Sequence, residues 1–183
     1  MGVNLKSLIA RLNPTTRKAL EGAAGLCLSR THYDVEFEHY IVKLLDETDS
    51  DLAHILQRFE IDPSRLTGEL SRSLDKLKSG NARTPAFSPS LVKMFEQAWT
   101  TGSLNYGAGE IRSGFTILAL LWNEELARII RDSSRELQKI QADVLEREFN
   151  DIVAASPEEA SRPSESPPAP LRMMRSRVVR WMP

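Results

Sequence analysis

Cysteine is almost absent from this chain. Cys27 stands alone in 183 residues, so no intrachain disulfide can form and a reducing, cytoplasmic setting is expected. Long hydrophobic runs are missing too. The longest, FTILALLW over 115–122, falls far short of the roughly 18 residues that a membrane-spanning helix needs. The N-terminal MGVNLKSLIARLNP has a short apolar set and then Pro14, without the apolar core of a signal peptide. Charge of one sign is not in excess either. A formal net charge of −1 argues against nucleic acid as the main partner, and the short apolar runs argue against a membrane.

Chemistry-bearing patterns are equally scarce. GAAGLC at 22–27 has two glycines but no Gly-Lys-Ser/Thr ending, so it is no phosphate loop. Neither G-x-S-x-G nor HExxH occurs. The three histidines, His32, His39 and His54, do not make up the three or four convergent ligands of a metal site. The plain reading puts His32 at a helix end, His39 partly buried and His54 on a surface turn. Cys27, in AAGLCLS, reads as a packed thiol on a small-residue helix face. Glu36 and Glu38 are two apart and point to different helix faces, which does not suit paired-carboxylate catalysis. Trp99 and Trp122 read as core or near-core. No metal, cofactor or catalytic residue is expected, and the chain reads as a non-enzyme.

What the sequence does contain is one statement made twice. LNPTTRKALEGAAG (12–25) lies over FSPSLVKMFEQAWT (87–100) at an offset of 75. Asn13-Pro14 and Ser88-Pro89 each give an N-cap followed by proline at the first helical position. Val35 then falls over Ile111 and Leu44-Leu45 over Leu120-Leu121 at an offset of 76, and DLAHIL (51–56) over ELARII (125–130) at 74. The periodicity inside each copy is helical, and no segment alternates as a strand would. Helices are predicted at about 4–12, 14–29, 35–47, 50–58, 63–77, 89–101, 110–122, 124–132 and 134–152. The expected fold is all-α: two four-helix units, about 12–77 and 87–152, related by a pseudo-two-fold, with an extra N-terminal helix and a linker at 78–88.

The domain is expected to end near 154. From 155 to 183 the reading is a disordered Pro-rich linker, with five prolines in 156–170, followed by a basic tail. That tail, LRMMRSRVVRWMP, could touch lipid or nucleic acid, or be foreign to the domain.

The doubled unit, with FEHYIVKLL at 37–45, resembles the N-terminal domain of the Clp/Hsp100 chaperone ATPases. Glu38, His39, Leu44 and Leu45 match that family's EHLLLALL helix, whereas the second copy has Ser113-Gly114 where the family tends to have Glu-His. The resemblance covers about 14–152; AAGLCLSRTHYDVEFEH (23–39) and the helix at 4–12 look like the ClpV branch, found in type VI secretion systems. It implies a module that docks a helix near the N-terminus of the large sheath subunit, so that contracted sheaths are disassembled in the cytoplasm. Hexamers would form only through ATPase rings, which this chain lacks. A general Clp N-domain engaging unfolded clients or an adaptor remains an alternative, as does a stand-alone regulatory protein acting through its tail.

A helix-binding trough needs apolar walls on a rigid scaffold. In NLKSLIARL, Leu5, Leu8, Ile9 and Leu12 recur at i, i+3, i+4 and i+7, one apolar stripe on a helix too short to be stable alone. It should lean on the first copy across Thr16, Leu20 and Ala23. Pro85 and Phe87 of the linker complete the expected trough. The competing reading is that the stripe merely closes the core.

Overall fold

The computed structural model describes residues 4–161. Helix starts obey their caps. Helix α1 (Leu5–Ala10) is capped by Asn4, whose side chain accepts from the Lys6 and Ser7 N–H groups. In α2 (Pro14–Ser29) the Asn13 Oδ1 accepts from the Thr16 N–H at 2.9 Å. Strand β1 (Asp34–Val35) leads into α3 (Phe37–Leu45), and then come α4 (Asp51–Arg58), capped by Ser50, and α5 (Pro63–Asp75), capped by Asp62. Strand β2 (Ala86–Phe87) opens the second copy, followed by α6 (Pro89–Tyr106), α7 (Ser113–Trp122), α8 (Glu124–Ser133) and α9 (Ala142–Ile152).

Four expectations need correction. The chain does make strand pairs, though short ones: β1 and β2 pair in parallel, Asp34 with Ala86 and Val35 with Phe87. The expected helix over 134–152 is broken. Ser134 instead caps a 3-10 turn at Leu137–Lys139, and extended Ile140 lets Leu137 and Ile140 both reach the core. Helix α6 runs on to Tyr106, where Gly107 at φ 62° ends it in the left-handed conformation that favours glycine. Finally, order does not stop at 154. A 3-10 turn spans Pro157–Ser161, and Glu158 is buried, its carboxylate accepting from Asn13, Asp51 and Ser113. The rest of the expected linker and the basic tail lie outside the described residues.

The repeat is visible in the pairings. Leu12 forms an isolated parallel bridge with Ile111, and Val35 pairs with Phe87. At the offsets of 75 and 76 these two pairs are copies of one another, so each copy lends a strand residue to the other. Helices α3 and α7 meet at the centre, where Tyr40 Oη lies 3.1 Å from Thr116 Oγ1, again equivalent positions. That register keeps the offset of 76 and places Glu38-His39 over Gly114-Phe115, one residue beyond the Ser113-Gly114 matched to the family motif. Helix α7 is buried almost all round, as its uniform apolarity requires.

Candidate functional site

The N-terminal stripe comes to rest on α6. Leu8 and Leu12 are buried at 4% and 3% exposure, whereas Leu5 is 36% exposed. The stripe therefore does two jobs: two of its residues close the core and Leu5 faces out. Between α1, α2 and α6 lies an apolar niche lined by Leu5, Leu8, Ile9, Leu12, Leu20, Phe87, Leu91, Val92 and Phe95. Phe87 is held in it by the β-pair, since the Ser88 N–H donates to the Val35 carbonyl at 3.0 Å. The Arg11 guanidinium, just after α1, stands 4.8 Å over the Trp99 ring of α6.

Six of the nine residues expected in the trough, Leu5, Leu8, Ile9, Leu12, Leu20 and Phe87, meet here. Three do not. Thr16 is buried, its hydroxyl donating to the Ile111 carbonyl at 3.0 Å, so it ties the copies together. Ala23 is fully buried in the core on another part of α2. Pro85 lies outside the lining. Sequence reasoning missed Leu91, Val92 and Phe95 of α6. Their signal was present, because Leu91 and Phe95 stand at i and i+4 and belong to the repeat of α2. The niche is narrow, with room for about one water molecule.

The polar residues of interest are engaged structurally. The Glu36 backbone N–H donates to His39 Nδ1 at 2.9 Å, completing a capping box at the start of α3. His39 Nδ1 is therefore an acceptor, and its proton sits on Nε2, which donates to His32 Nδ1 at 2.9 Å. Burial, helped by His32 and Arg30, pulls the His39 pKa down to about 4. Burial lowers His32 as well. Both rings are buried, more deeply than expected for His39, and His54 lies within α4 instead of on a turn. Cys27 is buried, its thiol donating to the His32 carbonyl, and burial pushes it up, away from the thiolate. Trp99 is partly buried against the core, but Trp122 is 52% exposed at the end of α7 and is not a core residue. Among the described residues no group of three or more His, Cys, Asp or Glu could hold a metal ion. Nor, among them, is any helix long and apolar enough to cross a membrane.

The domain is thus a mostly helical scaffold of two interlocked copies with an apolar niche between α1, α2 and α6. Residues 11–125 match the Clp repeat (R) N-terminal domain, and the chain belongs to that family. It is 32% identical over 152 residues to the AAA+ ATPase ClpV1 of Pseudomonas aeruginosa, an alignment covering 83% of this chain and 17% of that protein. The chain thus spans about a sixth of that relative's length. Among solved structures it is similar, at TM-score 0.82 and 31% identity, to one from work on the coevolution of the ATPase ClpV, the TssB–TssC sheath and the accessory HsiE protein. That match covers 86% of this chain and 97% of the other. It is also similar to the ClpV N-domain solved in complex with a VipB peptide, at TM-score 0.73 and 30% identity over 86% and 96% of the two chains.

Proposed function

We propose that this chain is the sheath-recognising N-terminal module of a ClpV-like ATPase, which captures a helix near the N-terminus of the large type VI sheath subunit. The observation that carries the reading is the likeness to a ClpV N-domain solved with a VipB peptide. The niche between α1, α2 and α6 supports it, since an amphipathic helix could lay one or two apolar side chains against Leu5, Ile9 and Phe87. The module itself performs no reaction. In the cytoplasm, the ATPase rings of a ClpV-like protein would supply the work, and hexameric presentation would raise apparent affinity by avidity.

Burying roughly 300–400 Å² of apolar surface contributes about 8–10 kcal/mol gross at ~25 cal/mol per Å². Association and ordering remove about 4 kcal/mol or more, which leaves at most about 4–6 kcal/mol, a Kd on the order of tens of micromolar to millimolar for the isolated module. The test is titration of a fluorescent peptide from the N-terminal helix of the large sheath subunit. Leu5→Ser and Phe87→Ser should each weaken it about tenfold, with the Tm of Leu5→Ser within about 2 °C of the parent. Leu5 suits this test better than Leu8, whose burial would confound folding with binding. A peptide that does not bind, or a casein-like unfolded client that binds as tightly, would count against sheath recognition. Binding indifferent to both substitutions would move the site elsewhere.

A further inference from the structure

The segment after α9 turns back into the junction of the two copies. Glu158 is 2% exposed, and its carboxylate is surrounded by donors. Oε1 accepts from Asn13 Nδ2 at 3.0 Å and from the Ser113 N–H at 2.8 Å. Oε2 accepts from the Asp51 N–H at 2.6 Å and from the Ser113 hydroxyl. These donors belong to three helix starts. Asn13 caps α2, Asp51 opens α4, and Ser113 opens α7 in the other copy. Amides at helix N-termini and the local dipoles favour an anion there. Beside this group the Arg112 guanidinium grips Asp51 twice, Nε to Oδ2 at 2.6 Å and Nη2 to Oδ1 at 2.8 Å. Its third nitrogen, Nη1, donates to Glu159 Oε2 at 2.7 Å.

We infer that residues 156–161 form a latch: Glu158 is an intramolecular ligand whose carboxylate fills a carboxylate-binding cradle built jointly by both copies. Among the described residues, Glu158 is the acceptor that the Ser113 and Asp51 amides meet. Arg112, bound to Asp51 on one side and Glu159 on the other, ties the same segment down by a second point. The latch is independent of the sheath reading, because it involves neither the niche nor any peptide. It also explains why folding extends past the last helix. Truncating glutamate to alanine removes a methylene and a carboxylate, which together have the shape of acetate. The cradle is therefore the kind of site that a free small carboxylate can refill.

The experiment uses the full chain carrying Glu158→Ala. Its Tm should fall by roughly 5–10 °C, and amide exchange at Asp51 and Ser113 should quicken while that in the middle of α3 stays slow. Acetate or formate at about 0.2 M should restore a measurable part of the lost Tm relative to chloride at equal ionic strength, and should shift the parent no more than chloride does. Glu158→Gln fills the void with a neutral amide, so it should show quickened exchange at the same two amides and no acetate rescue. Equal melting of Glu158→Ala and the parent, or a loss that acetate repairs no better than chloride, overturns the latch. If Glu158→Ala fails to fold in chloride and in acetate alike, the Glu158→Gln exchange decides: unchanged protection at Asp51 and Ser113 overturns it.

Discussion

Acid should unlock the start of α3, and His39 is the residue to watch. Its Nδ1 already accepts the Glu36 N–H, so a proton placed there must displace that hydrogen bond and charge a fully buried ring. With a folded pKa near 4 against an ordinary value of 6.5, the folded state binds fewer protons than the unfolded state below pH 6.5. The sign follows: the stability is fully present above about pH 6.5 and drains away as pH falls toward 4. The shift is worth about 3 kcal/mol in full, of which roughly 2 kcal/mol should be gone by pH 5. Urea unfolding at pH 7, 6 and 5 measures it. His39→Asn keeps an oxygen near the Nδ1 position to cap Glu36 and cannot titrate. The parent should therefore lose about 2 kcal/mol more than His39→Asn between pH 7 and 5. Glu36, Glu38 and Glu158 are held above their ordinary range chiefly by burial and pull the opposite way in both proteins, whereas His32, lowered by burial, pulls the same way as His39, so an NMR titration of each ring separates the two histidines. Parallel losses in the two proteins, or an NMR titration of His39 centred near 6.5, would refute the reasoning.

Two further outcomes follow from packing and charge. Gly114→Ala should destabilise by about 2 kcal/mol in chemical denaturation even though alanine is the better helix former. An added Cβ would stand 2.6 Å from the Phe149 ring, which stacks on Phe115, and 3.1 Å from Asp51 Oδ2. Arg112→Ala should cost about 3–5 kcal/mol by the same assay, because it leaves the fully buried Asp51 carboxylate without its cation. A loss below about 1 kcal/mol would mean that the Gly114 amide at the start of α7 offsets the Asp51 charge without Arg112.

The family motif and the apolar niche are different parts of the molecule. Glu38 accepts hydrogen bonds from Ser73 and Ser133, His39 caps α3, and Leu44 is core. The signature that makes the family legible therefore records how α3 is capped and packed, not what the domain holds. Most niche residues were legible because α1 is a short, one-sided stripe that must be covered. Leu91, Val92 and Phe95 were not singled out because nothing local to α6 shows that α1 packs against them, and Thr16 was misplaced because its hydroxyl has a partner 95 residues away.

The sequence by itself determined nearly every helix start, the all-helical class and the doubling. Caps, proline positions and apolar spacing act over a few residues and carry their physics within the segment. Only the tertiary structure decided that the copies interlock through Leu12–Ile111 and Val35–Phe87, that the niche is narrow, and that Glu158 belongs to the fold. Those features depend on donors and surfaces brought together from distant parts of the chain. A polar segment with no apolar pattern gives no local sign that three helix starts await its carboxylate.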